Sequence, residues 1–165
     1  MIPVSQTEFR QAMAHLPAGV NIITTQGSAG RCGITASAVC SVTDSPPTIL
    51  VCVNRSSASH PIFERNGRLC VNVLSSEQEE LAKHFAGMTQ VPMEERFGWD
   101  IWEDAGADQP ALRDAIVKLQ GRICDFKEVG SHSVIFVQLD RIAVREDGGS
   151  LVYFNRHFHG VQRAG

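Results

Sequence analysis

The chain has little that would place it in a bilayer, outside the cell or on nucleic acid. A helix needs roughly 20 apolar residues to cross a membrane, and the longest apolar runs, such as 133–139, are far shorter. No basic stretch followed by an apolar one opens the sequence, so it does not read as a secretory signal, and the expected location is cytoplasmic. Fifteen Lys and Arg stand against 18 Asp and Glu, and they are scattered rather than striped, which removes the footprint of a nucleic-acid binder.

The five cysteines, Cys32, Cys40, Cys52, Cys70 and Cys124, are odd in number and contain no C-x-x-C pair. Neither a disulfide framework nor a zinc knuckle fits them; they are expected to be reduced and to pack as small buried apolar residues. Walker A, G-x-S-x-G, H-E-x-x-H and EF-hand patterns are all missing, which excludes the commonest motif-bearing phosphotransferases, hydrolases and metalloproteases. Gly27, Gly30 and Gly33 are spaced G-x-x-G-x-x-G, whereas a dinucleotide fingerprint needs G-x-G-x-x-G before a helix. His157 and His159 put two imidazoles on one side of a strand, but zinc needs three or four ligands, so no metal is expected. Glu94, Glu95, Asp100, Glu103 and Asp104 sit in a polar stretch and read as a solvated face.

What is present is a chain of 165 residues, 43% of them hydrophobic. That is enough for one domain over 1–165, burying roughly 70% of its extended surface. Residues 5–8 (SQTE) form a capping box ahead of Phe9, Met13 and Leu16 at helical spacing. Residues 20–25 and 32–39 read as two strands joined by a hairpin at 27–30. After Pro46-Pro47, residues 48–53 are continuously apolar and β-branched, as in a buried strand. A short helix at 60–65 ends at Asn66-Gly67, a strand follows over 68–74, and 76–79 (SEQE) repeats the capping box before Leu81, Phe85 and the stop at Gly87.

Residues 88–108 carry Pro92, Gly98, Gly106 and both tryptophans, and read as a long surface excursion of the kind that covers a site. Three antiparallel strands are expected within 115–126, 133–144 and 151–154. Six or seven strands and a few short helices without regular β-α alternation predict a mainly β, antiparallel barrel.

The segment 33–47 (GITASAVCSVTDSPP) is dense in small hydroxylated residues for a strand. Two readings stand. The hydroxyls face solvent on a plain barrel strand, or the backbone is left open to a flat ligand such as a flavin. A flavin's ring edge needs N–H and C=O partners, and its faces need close apolar contact.

At these residues the sequence resembles the short flavin reductase family. The blocks that carry the resemblance are FRQAMA (9–14), VNIITT (20–25), GITASAVCSVT (33–43), LCVNVL (69–74), HFAGMT (84–89), MEERF (93–97) and RHFH (156–159). The likeness is strongest to the subgroup of reductase components of two-component 4-hydroxyphenylacetate 3-monooxygenases, with the reductases of pyrimidine-degrading monooxygenase systems as a sister group.

The resemblance implies an FMN-binding split β-barrel that forms a homodimer, oxidises NADH (NADPH in some members), reduces FMN or FAD, and releases the reduced flavin to a separate oxygenase. It implies that Thr35, Ala36, Ser37, Ser41, Val42 and Thr43 line the ring and ribityl chain. Asn54, Ser57 and Ser59 would lie near the phosphate, Phe85 and Ala86 beside the flavin, and His132 on the nicotinamide side. Ser131 stands where the family has an acidic residue, and Ala38-Val39 where members often have Ser-Phe. A flavin-binding barrel without catalysis is the competing class. Phe85, four residues from Leu81, is equally a core anchor.

Overall fold

The computed structural model describes residues 2–104 and 108–165; Met1 and Gly106 lie outside the described residues. Helix α1 (Gln6–Ala14) starts with the capping box: Ser5 Oγ accepts from the Glu8 N–H at 3.2 Å, and Glu8 accepts from the Ser5 N–H at 2.9 Å. Its apolar residues Phe9 and Met13 remain exposed.

After α1 come β1 (Ala18–Gly19), β2 (Asn21–Gly27), β3 (Gly30–Ala36), β4 (Val39–Asp44), β5 (Pro47–Asn54), α2 (His60–Asn66) and β6 (Arg68–Val73). The second half holds α3 (Glu79–Phe85), α4 (Met93–Phe97), β7 (Val117–Val129), β8 (His132–Val144), β9 (Ser150–Phe154) and β10 (His157–Val161). Among the described residues, no helix is long and apolar enough to cross a membrane.

Seven strands form one antiparallel sheet in the order β3-β2-β6-β7-β8-β5-β4, and β1, β9 and β10 form a second. The two ends of the large sheet, β3 and β4, are consecutive in the chain and joined through Ser37-Ala38, yet they do not pair. The sheet therefore stays open along this seam, as in a split barrel, and the expectation of a mainly β antiparallel barrel holds.

Two cores explain why β2 is buried on both faces. Ile23 packs with Val51, Phe63, Leu69, Val71 and Ile135. Its neighbour Ile22, on the opposite face, packs with Leu74, Ala82, Phe85, Leu112 and Leu151. Each of these fully buried aliphatic side chains contributes about 1.5–3 kcal/mol by leaving water.

Several local expectations are corrected. The strand read over 32–39 breaks at Ser37-Ala38. The strand read as buried over 48–53 alternates: Ile49, Val51 and Val53 are buried, and Leu50 and Cys52 are half-buried on the other face. Ser76 does not cap α3, because its N–H donates to Gly149 O at 3.0 Å, which holds it beside β9; Gln78 takes the cap position and accepts from the Ser75 N–H at 2.9 Å. The strand at 151–154 joins the small sheet rather than β8. Within 88–108, α4 buries Phe97, and Trp102 stacks on it at 4.8 Å, so part of this segment is core. Cys32 and Cys70 are buried and Cys52 half-buried, but Cys40 and Cys124 are exposed on their strands; all five are free.

Candidate functional site

The end of β3, the Ser37-Ala38 connection and the end of β5 border a cleft of about 390 Å³. Thr35, Ala36 and Ser37 from the end of β3 form one side, Asn54 and Ser57 after β5 another, and Phe85, Ala86 and His132 complete it. A second cleft of about 450 Å³ shares Thr35, Ala36, Ser37 and Ala86 and continues past Lys83 to Tyr153, Arg156, His157 and Phe158. Both fall within the usual size of a small-molecule site, which is about 300–1,000 Å³.

Each wall has a local cause. Thr35 Oγ1 donates to Ala82 O at 2.7 Å, which ties β3 to α3 and sets where Phe85 and Ala86 stand. Phe85 lies over Gly33, where only a residue without Cβ leaves room for the ring. Behind it, Phe97 and Trp102 make edge contacts at 5.8 and 5.9 Å, and the Arg96 guanidinium sits 5.3 Å from the ring centre. Phe85 is thus both core anchor and cleft wall.

Asn54 and His132 face each other as cross-strand partners of β5 and β8. Asn54 Oδ1 accepts from the Ser56 N–H at 2.9 Å and from Ser56 Oγ at 2.8 Å, shaping the turn that carries Ser57 into the cleft. His132 Nδ1 and Ser131 Oγ are hydrogen-bonded at 2.8 Å, so the hydroxyl fixes the imidazole, and Nε2 is the ring nitrogen left for a ligand.

Not every expected residue arrives. Ser41, Val42 and Thr43 are exposed along the edge strand β4, at a bulge, outside this chain's cleft. Ser59 is buried beside Cys32 at the start of α2 and does not line the cleft. Conversely, Lys83 was not singled out by the sequence, and Arg156 and Phe158 stood only within a block that carries the resemblance. The available signal was the two-residue connection Asn155-Arg156 between alternating strands, which marks a hairpin.

The walls offer flat contact and backbone polarity rather than a nucleophile. Burial pushes the thiols of Cys32 and Cys70 up to about 11 and about 12 and raises that of the cleft residue Cys52, so all three stay protonated and unreactive near neutrality. Among the described residues, no group of three or more His, Cys, Asp or Glu side chains is arranged to hold a metal. The small side chains of Ala36, Ser37 and Ala86 beside the ring of Phe85 fit a planar heterocycle, because they leave room against an aromatic face with Thr35, Asn54, Ser57 and His132 as polar groups of the lining.

A model of the flavin reductase like domain matches residues 13–162. The chain is 59% identical over 157 residues to the 4-hydroxyphenylacetate 3-monooxygenase reductase component of Pseudomonas aeruginosa, covering 95% of this chain and 92% of that one. It is 46% identical over 159 residues to the FMN reductase (NADH) RutF of Stutzerimonas stutzeri, covering 96% and 90%. Among solved structures it is similar to the flavin reductase PheA2 in its native state, with a TM-score of 0.86 at 25% identity over 97% of this chain and all of that one. It is also similar to the NADH:FAD oxidoreductase SgcE6 of Streptomyces globisporus in complex with NAD and FAD fragments, with a TM-score of 0.82 at 25% identity over 96% of each chain. With the open seam, the slot at the end of β3 and these matches together, the chain belongs to the flavin reductase like domain family.

Proposed function

We propose that the protein is an NADH-dependent flavin reductase that reduces FMN or FAD and releases the product to a separate oxygenase, 4-hydroxyphenylacetate 3-monooxygenase. The observation that carries this reading is the near end-to-end identity of 59% to a reductase component of that name. The slot of small residues at the end of β3 and in the Ser37-Ala38 connection supports it independently. The 46% identity to RutF favours, as a second reading, service to a pyrimidine-degrading oxygenase; the reductase chemistry is the same in both.

A flavin, when bound, supplies the hydride acceptor, and the chain supplies position. Thr35, Ala36 and Ser37 would hold a ring edge with backbone groups, while Phe85 and Ala86 would close one side of the slot they line. His132, held by Ser131 at 2.8 Å, would stand on the nicotinamide side. Holding two flat partners in register is worth up to about 7–11 kcal/mol of a bimolecular barrier, so no covalent nucleophile is required. Ser41, Val42 and Thr43 stand away from their own chain's cleft, and the edge of β4 is unpaired. We assign these residues to the flavin of a second copy in a homodimer.

A reductase that passes its product on holds flavin loosely, since tight product would make release rate-limiting. The protein should lose flavin on dialysis and oxidise NADH only when FMN or FAD is added back. Anaerobic mixing with NADH and flavin should bleach the flavin band. A band that stays unbleached would leave a binding module; undiminished turnover without free flavin would leave an enzyme with a resident cofactor. Parallel rates with 4-hydroxyphenylacetate or pyrimidine-degrading oxygenases separate the two partner readings.

A further inference from the structure

Asn155 and Arg156 form the two-residue connection between β9 and β10, with φ of 50° and 61°. This is the turn in which Asn-Gly is the usual pair, because both central residues need positive φ. Asparagine tolerates that region; arginine does so at a cost, and such strain clusters where a side chain is used. Arg156 lines the far end of the second cleft. Lys83, on the same wall, is bound to Glu79 at 3.1 Å and Glu80 at 2.9 Å. Among the described residues, Arg156 has no carboxylate at ion-pair distance, so it is the uncommitted cation of this cleft.

The opposite end of the slot is different. There Asn54 and Ser57 offer neutral groups, and the nearby Arg55 is occupied by Glu128 at 3.1 Å and by Gly130 O at 3.3 Å. A hydride-transfer site built on two nucleotides must place two phosphate-bearing tails, and the open cleft has two ends. We propose that Arg156, on its strained turn, is a phosphate-holding residue for one of the two nucleotides that meet in the slot. This rests on the flavin reductase reading. The phosphate belongs either to the flavin or to the pyrophosphate of the nicotinamide dinucleotide, and the guanidinium suits both because it binds phosphate oxygens in pairs.

The test uses binding as well as turnover. Dissociation constants for riboflavin, FMN and ADP-ribose are measured on the parent, Arg156→Lys and Arg156→Gly, with thermal melts of each. Arg156→Gly creates the preferred turn sequence and removes the guanidinium, so it should melt no lower than the parent while losing phosphate affinity. Loss of a charge-assisted bond predicts a weakening of about tenfold or more, with Arg156→Lys intermediate. A weakening confined to FMN assigns the flavin phosphate; one confined to ADP-ribose assigns the dinucleotide. Riboflavin should bind all three proteins alike. Unchanged affinity for both phosphate ligands, or an equal loss for riboflavin, overturns the proposal. A parent that binds no flavin at all would instead sink the functional reading on which it rests.

Discussion

Gly33 and Phe85 are packed as closely as a glycine permits: a Cβ on Gly33 would stand 2.9 Å from Phe85 Cε1 and 3.0 Å from Cδ1, with Thr24 Cγ2 at 3.3 Å on the other side. The ring is backed by Phe97, Trp102 and Arg96, so it has no free direction except the slot. Gly33→Ala is therefore expected to cost about 1–3 kcal/mol, as overpacking usually does. It should lower the melting temperature by roughly 2–12 °C for a chain of this size, and raise the flavin dissociation constant by narrowing the slot. Adding Phe85→Leu should recover part of the stability loss, which a double-mutant cycle reads as coupling between the two positions. Unaltered melting and unaltered flavin binding in Gly33→Ala would show that the ring is free to move elsewhere.

Substitutions at His132 and Ser131 test whether the binding of the two nucleotides can be separated. His132→Ala should raise the KM for NADH by roughly tenfold, the scale of one lost hydrogen bond in a site, while the flavin dissociation constant stays within about twofold. Ser131→Ala keeps the imidazole and removes only its anchor at 2.8 Å, so a smaller rise is expected. Kinetics of His132→Ala that match the parent would return this histidine to the status of a surface residue at a turn.

The segment 33–47 was legible because small hydroxylated residues are unusual in a strand, and Thr35 to Ser37 do line the slot. The capping box at Ser5 was legible because its four residues are its whole mechanism. The same pattern at Ser76 misled, since a backbone bond to Gly149, more than seventy residues away, holds Ser76 outside the helix. Phe97 and Trp102 looked like loop residues because their partner, Phe85, is distant in sequence. Arg156 was quoted only as part of a resemblance block; the positive φ that sets it apart is a property of the folded hairpin. Ser41 to Thr43 continue the same hydroxylated pattern yet lie outside the cleft, because the chain leaves it at the Ser37-Ala38 connection before β4 begins, a break that local pattern does not encode.

Across the large sheet, Arg68 on β6 donates two bonds of 2.9 Å to the Asp140 carboxylate on β8, spanning β7. The side-chain bond from Arg68 holds the Asp140 carboxyl below the usual aspartate range. The folded state thus favours the ionised form. The pair's contribution is present above the unfolded value of about 3.9 and is lost as pH falls through the lower folded value. Both partners are partly exposed, at 33% and 48%, so solvent screening keeps the contribution to about 0.2–1 kcal/mol. Urea denaturation of Asp140→Asn should show that loss at pH 7 and a shrinking difference at pH 3 and below. A difference that persists undiminished into acid would mean the substitution acts through packing rather than charge.

The apolar residues left in solvent bear on the proposed homodimer. Phe9 and Leu16 are 59% and 61% exposed. Leu16 also borders a groove of about 510 Å³ with Val39, Leu50 and Cys52, along the outer face of the edge pair β4–β5. An apolar strip beside an unpaired strand edge is a surface that soluble proteins usually cover. Covering it with a second copy would bring that copy to the strand carrying Ser41, Val42 and Thr43. Sedimentation of the parent should therefore give a dimer. Leu16→Asp should shift it toward monomer, because burying an unpaired carboxylate in such a contact is strongly unfavourable. The monomer should keep its fold by circular dichroism yet bind FMN at least about tenfold more weakly, the scale of losing several polar contacts to one ligand. A parent that sediments as a monomer while turning over flavin at full rate would confine the site to one chain and leave Ser41 to Thr43 as ordinary edge residues.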